Sequence, residues 1–296
     1  MNGYLIVNKD AGMTSQTVVT RVKRLFGVAK AGHTGTLDPE ATGVLPVMLG
    51  RAVKAGEYML SSEKHYVATL RLGMTSDTQD VFGHLTPTGA PLPEASAVLA
   101  AADKFRGEIL QTPPMVSALK VGGKKLVDLA REGIEVERQP RPVTVYGLHV
   151  TPLSESDYRL DVRCSRGTYI RTLCADIGDA LGVGGVMASL CRVEAAGFPL
   201  SAAHTLAELE EMTPGERAAA VLPTETVFAG WRRLDLPPFF ARLARCGVEI
   251  YLKKLGTDAP VGERCSLWDG GKFFAVGEVR GYPAGLAVKP VKQFDI

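Results

Sequence analysis

Few residues of this chain are of a type and setting that could do chemistry. Residues 31–47 read AGHTGTLDPEATGVLPV, where one acid, Asp38, stands between Leu37 and Pro39, five residues after His33. Farther on, Tyr66 opens the alternating run YVATLRL, and Tyr169 and Arg171 stand at the start of the helical text in SRGTYIRTLCADIGDALG. An aspartate acts as a covalent nucleophile or as a base where a partner such as arginine keeps it ionised, and a tyrosine face can stack on a nucleobase. Each residue also has a plainer reading. Asp-Pro followed by Glu-Ala reads as a helix start, with Asp38 as the N-cap and Pro39 at the first helical position. A lone His33 reads as a histidine satisfied within its loop, the two tyrosines as packing, and Arg171 as a surface cation.

Other chemistries lack their signatures. The glycine-rich opening stretch has neither G-x-x-x-x-G-K-[ST] nor G-x-G-x-x-G, and no G-x-S-x-G elbow occurs. Cys164, Cys174, Cys191, Cys246 and Cys265 are widely spaced without a C-x-x-C pair, which points to reduced thiols. The five histidines show no metal-ligand spacing, so no metal is expected. With 34 Lys and Arg against 32 Asp and Glu, any nucleic-acid surface must be a local patch. The opening MNGYLIVNKD has no basic n-region, and no eighteen apolar residues run together, so a cytoplasmic protein is expected.

The elements that must position these residues follow from periodicity. A length of 296 residues suggests about two domains. YLIVNK (4–9) reads as a strand, and the turn AGMTS caps a helix near Thr14 or Ser15 with Val18, Val19, Val22, Leu25 and Phe26 on one face, ending at Gly27. Residues 66–72 and 158–164 alternate as half-buried strands. The helix after Tyr169 carries the stripe Ile170, Leu173, Cys174, Ile177 and Leu181 and stops at Gly182. Strands interspersed with single helices predict an α+β protein with a mixed, largely antiparallel sheet flanked by helices. Residues 110–146, rich in Pro, Gly and charge, read as an excursion with a short helix through Leu126, Leu129 and Ala130. Residues 203–230 read as helical and then proline-punctuated. In 231–296, short apolar runs flank the hairpin signal Asp269-Gly270-Gly271, and 11 Lys and Arg against 7 Asp and Glu give net +4, which favours an anionic partner.

GHTGTLDPEATGVLPVMLGRAVK resembles the signature of the tRNA pseudouridine synthase B (TruB) family, in which the aspartate of GTLDP is catalytic. KHYVATLRLGMTSDTQDVFG is similar to the family's strand with the uracil-stacking tyrosine, here Tyr66. QTPPMVSALKVGGKKLVDLAREGIEVERQPRPVTVY is similar to its RNA-gripping thumb, and CSRGTYIRTLCADIG to its late motif, which would place Tyr169 in the substrate pocket and Arg171 as the ion-pair partner of Asp38. Leu190 falls at the family's pocket leucine, and His33 at the residue that inserts where extruded bases were. The resemblance implies a pseudouridine synthase fold over 1–230, a PUA-like RNA-binding barrel over 231–296, and a stand-alone isomerase acting on the TΨC-loop uridine (position 55) of tRNA. It further implies no cofactor, no guide RNA and a monomer. The sequence departs from the family at Lys9-Asp10-Ala11-Gly12, where Lys-Pro-x-Gly is usual, and at Cys191, which interrupts Leu-Arg-Arg. A guide-RNA-dependent ribosomal relative, an RNA-binding or RNA-folding module without catalysis, and an aspartate-nucleophile hydrolase are the alternatives.

Overall fold

The computed structural model describes residues 1–60, 63–117 and 119–294. Ala118 of the 110–146 stretch and the last two residues of 231–296 lie outside the described residues. The chain folds around a nine-stranded sheet. Its main path runs β1 (Gly3–Lys9), β3 (Thr42–Leu49), Gly185–Ala195, β4 (Lys64–Leu72), Asp157–Cys164, Arg141–Pro152 and Gly107–Gln111, with the short β2 (Ala31–His33) paired to β3. Every pairing is antiparallel except that of β3 with Gly185–Ala195, so the sheet is mixed and largely antiparallel, as the patterning predicts.

The alternation of β4 buries Tyr66, Ala68, Leu70 and Leu72 on the face covered by α1 (Ser15–Leu25) and the Ile170–Ala180 helix. Those helices supply Val18, Val19 and Val22, and Ile170, Leu173, Cys174 and Ile177, to the same core. The hydroxyl of Thr14 accepts the Thr17 N–H at 3.0 Å and caps α1, and Gly27, at φ +61, ends it. The close pairing of β3 with Gly185–Ala195 requires a glycine: a Cβ at Gly43, itself at φ +102, would stand 2.2 Å from the Arg192 carbonyl oxygen.

Two expectations change. Asp38 does not cap a helix. Residues 38–41 make one turn, closed by the Ala41 N–H on the Asp38 carbonyl at 3.2 Å, and the chain re-enters the sheet at Thr42. The local Asp-Pro-Glu-Ala signal is overridden by TGVLPVML, which pairs with strands on both sides and buries all but its first residue. The excursion is also shorter than 110–146: Gln111 pairs with Arg141 inside the sheet, so the departing segment is 112–140, carrying the Leu126–Arg131 helix.

A second, curled sheet of five strands follows, in the order Arg232–Asp235, Arg264–Asp269, Lys272–Tyr282, Gly285–Gln293 and Ile250–Tyr251. Its central hairpin turns on Gly270 and Gly271, both at positive φ, with Asp269 facing Lys272. Among the described residues no helix is long and apolar enough to cross a membrane.

Candidate active site

The turn carrying Asp38 is pinned from two sides. The buried Ser15, at the start of α1, donates its hydroxyl to the Leu37 carbonyl at 3.0 Å and accepts the Leu37 N–H at 2.9 Å. Lys9, fully buried at the end of β1, donates to the carbonyls of Asp10 at 2.9 Å, Met13 at 2.7 Å and Pro39 at 2.7 Å. Three carbonyls for three ammonium N–H donors account for a charge so deep in the fold. Burial nonetheless pulls the Lys9 pKa down to about 8, against the pull of Glu40, Asp10 and Asp38. The departure at Asp10 thus leaves the strand end well ordered.

Across the turn lies Arg171, in the first turn of the Ile170–Ala180 helix and only 4% exposed, so it is no surface cation. Its Nε and Nη2 reach the two Asp38 carboxylate oxygens at 3.1 and 3.3 Å, a two-point fork. Nη2 also donates to the Val116 carbonyl at 2.8 Å, and Nη1 to the Thr78 carbonyl at 3.1 Å and to Asp80 at 3.4 Å. Each of the three guanidinium nitrogens is therefore engaged. Asp80 is buried and held by the Thr78 hydroxyl at 2.7 Å and the Phe82 N–H at 3.0 Å. The loop is buttressed at Gln79, whose φ of +62 is unusual for a side-chain-bearing residue and whose side-chain oxygen accepts the Thr172 hydroxyl at 2.8 Å. Burial raises the Asp38 pKa above the usual carboxylate range; Arg171 opposes the shift, Asp80 adds to it and Lys9 opposes it.

Asp38 and Arg171 open on a cavity of about 260 Å³ whose wall includes Tyr66, Tyr169 and Leu190. Tyr66 is 8% exposed, and its hydroxyl lies against the Arg192 guanidinium. Burial raises its pKa while Arg192 opposes. Tyr169 is fixed through its backbone: the buried Gln111 accepts its N–H at 2.9 Å and donates to its carbonyl at 3.1 Å. Leu190 lies between two irregularities of the Gly185–Ala195 strand, at 187–189 and 192–194, where a bulge re-aims side chains. Asp38, Tyr66, Tyr169, Arg171 and Leu190, separated by up to 152 residues of chain, thus converge on one cavity.

His33 is placed apart from them, on β2 and outside the cavity wall. Its Nδ1 is buried without a hydrogen-bond partner among the described residues, and burial, aided by Arg192, lowers its pKa, which favours the neutral ring. Sequence reading missed Lys9, Ser15, Asp80, Gln111 and Arg192 as members of the site. The available signal was faint: SDTQD is a cluster of turn formers, and nothing local says that its last acid faces Arg171.

The family model described as TruB family pseudouridylate synthase (N terminal domain) matches residues 23–170, and that described as tRNA pseudouridylate synthase B C-terminal domain matches residues 171–229. The proteins named tRNA pseudouridine synthase B from Francisella philomiragia subsp. philomiragia and Francisella tularensis subsp. novicida are each 39% identical over 284 residues, spanning 94% of this chain and 91% of theirs. Among solved structures, a chain of "Structure of H/ACA RNP bound to a substrate RNA containing 2'-deoxyuridine" superposes with a TM-score of 0.72 at 22% identity, over 99% of this chain and 85% of that one. A chain of "Crystal Structure of a Cbf5-Nop10-Gar1 Complex" superposes at 0.71 with 26% identity over the same shares.

Proposed function

The chain belongs to the TruB family of pseudouridine synthases, and from that premise we propose that it isomerises the TΨC-loop uridine of tRNA, position 55, with Asp38 as the essential group. The observation that carries this reading is the Asp38–Arg171 fork opening on a cavity walled by Tyr66, Tyr169 and Leu190. The reaction breaks the N1–C1′ glycosidic bond, turns the uracil and joins C5 to C1′, with one proton lost from C5 and one taken up at N1, and no redox change. It needs an anionic oxygen at the reacting nucleotide, and Arg171 keeps the Asp38 carboxylate ionised where burial alone would protonate it. In this reading Tyr66 and Tyr169 offer ring faces to the uracil, and Tyr66 helps remove the C5 proton. The target uridine must leave its stack to reach this cavity, at a cost of about a few kcal/mol. His33, on β2 and outside the cavity wall, is assigned the space that the extruded bases leave.

The 112–140 segment grips the RNA as a thumb, and its root reaches the site through the Val116 carbonyl on Arg171. The curled sheet, read as a PUA-like module of about residues 231–296, adds a basic surface for the tRNA backbone. Relatives named for tRNA at 39% identity favour tRNA over the ribonucleoprotein likeness at 22–26%.

Purified protein incubated with an unmodified tRNA transcript alone, with pseudouridine mapped chemically, tests the proposal. Wild type is expected to form one pseudouridine, in the T loop, and Asp38→Asn to form none while still binding tRNA. Product that needs a second RNA would mark a guide-dependent enzyme. Binding without product in wild type would mark an RNA-binding module, and no RNA binding at low salt would return the site to a small-molecule aspartate hydrolase.

A further inference from the structure

Arg192 is the largest fully buried side chain among the described residues. Its Nε donates to the Val44 carbonyl at 2.7 Å and its Nη2 to the Gly35 carbonyl at 3.0 Å, and it meets the Tyr66 hydroxyl. Among the described residues no carboxylate lies within 4.0 Å of it. These neutral acceptors leave a full positive charge in the interior, which is costly without a counter-charge. A second cation, Lys64, lines the same cavity, and the two meet over one glycine. A Cβ on Gly35, itself at φ +75, would stand 3.3 Å from Arg192 Nη1 and 3.4 Å from Lys64 Cε.

The cavity therefore has two unlike ends. At one, Asp38 and Asp80 share Arg171, so a second anion there would be repelled. At the other, Lys64 and Arg192 face the space around Gly35 without a compensating acid beside Arg192. Burial lowers the Lys64 pKa and Arg192 lowers it further, a strain that an arriving anion would relieve. The uracil and ribose of an extruded uridine are neutral, and the anion that travels with them is the phosphodiester. An ammonium backed by a buried guanidinium suits that group.

We propose that Lys64, backed by the buried Arg192, forms a seat for a phosphodiester flanking the target nucleotide, fixing the nucleotide's register so that its glycosidic bond lies against Asp38. Lys64 binds this group directly, and Arg192, buried behind it, acts through its charge and by holding the Gly35 turn in place. The proposal rests on the chain's acting on an RNA uridine.

The test uses an unmodified T-arm stem–loop RNA, all-phosphate or carrying a single neutral methylphosphonate at either linkage flanking the target uridine, with wild type and Lys64→Ala. Conversion of the all-phosphate RNA by wild type is the control: its failure removes the functional reading and not the phosphate seat. One of the two methylphosphonates is expected to raise the wild-type KM by roughly tenfold, the loss of one charge-assisted contact, with little change in kcat. Lys64→Ala should show that loss on the all-phosphate RNA and no further loss with the methylphosphonate. It should also flatten the dependence of log KM on log salt by about 0.7, the value of one single-strand phosphate contact. Two methylphosphonates that leave wild type unaffected, or losses that multiply in Lys64→Ala, would overturn it. Arg192→Lys, monitored by thermal melting because Arg192 bridges two carbonyls, is expected to lose KM and not folding; unchanged KM in that variant would exclude Arg192 from the seat.

Discussion

Asp38 owes its state to a contest between burial and a single guanidinium, and Asp80 decides how that guanidinium is shared. Arg171 faces two carboxylates, and Asp80 pushes the Asp38 pKa in the same direction as burial. A group whose ionised form is needed for reaction supports activity above its pKa and loses it as pH falls through that value. Because the Asp38 pKa is raised, the acid limb of kcat/KM is expected above the roughly 3.9 of an ordinary aspartate. Asp80→Asn removes the like charge, so that limb should move to lower pH. The same change leaves an amide where Arg171 Nη1 met an acid, and kcat at the pH optimum should fall as Arg171 loses its second anchor. A pH–rate profile of the two proteins decides the matter: an acid limb that stays put or moves upward would mean that Asp80 does not set the charge on Asp38.

The elements show which parts of this arrangement a reader of sequence could find. Strands that alternate, such as β4 and Asp157–Cys164, and the helix stripe from Ile170 to Ile177, are written in nearest-neighbour order, and the structure has them as expected. The turn at Asp38 was legible as rigid but was misread as a helix start, because capping is a local signal and β3 pairing is not. Asp38, Tyr66, Tyr169, Arg171 and Leu190 stood in recognisable motifs. Their supports did not: Asp80 meets Arg171 across 91 residues of chain, and Gln111 clasps Tyr169 across 58. Lys9 shows how much such a support carries. Lys9→Met keeps the volume and removes the charge, but it leaves the carbonyls of Asp10, Met13 and Pro39 without their donor. Stability is expected to fall by about 3 kcal/mol, the cost of several unpaired buried acceptors partly offset by the charge no longer buried. The Pro39 turn should loosen with it, lowering kcat more than it raises KM. Denaturant titration alongside steady-state kinetics checks both, and a variant as stable and active as wild type would show that β3 alone holds the turn.

At the scale of the molecule, the curled sheet is built onto the edge of the main one by an aromatic cluster. Phe228 sits at its centre, with ring centroids 5.3 Å from Tyr58, 5.0 Å from Trp231, 5.4 Å from Phe273 and 5.6 Å from Phe294. Tyr4 and Ile6 of β1 and Val276 of the second sheet belong to the same buried cluster. Around it Lys292 pairs with Glu57, and Lys54 donates to the Gln293 carbonyl at 3.1 Å. A contact of this kind, apolar and centred on one ring, should couple the two sheets more strongly than a hinge between independent modules would. Phe228→Ala would open a cavity at the meeting point, at an expected cost of about 3–5 kcal/mol. If the cluster couples the sheets, calorimetry of wild type shows one transition, and the variant either melts earlier as a unit or splits into two. On the proposed function, with the curled sheet no longer held in one orientation, any RNA backbone contacts it makes would need ordering on each encounter, so KM should rise while kcat, assigned to the groups around Asp38, holds. Two separate transitions already present in wild type, with Phe228→Ala shifting only one of them, would show that the sheets fold independently and that the cluster merely covers an apolar edge.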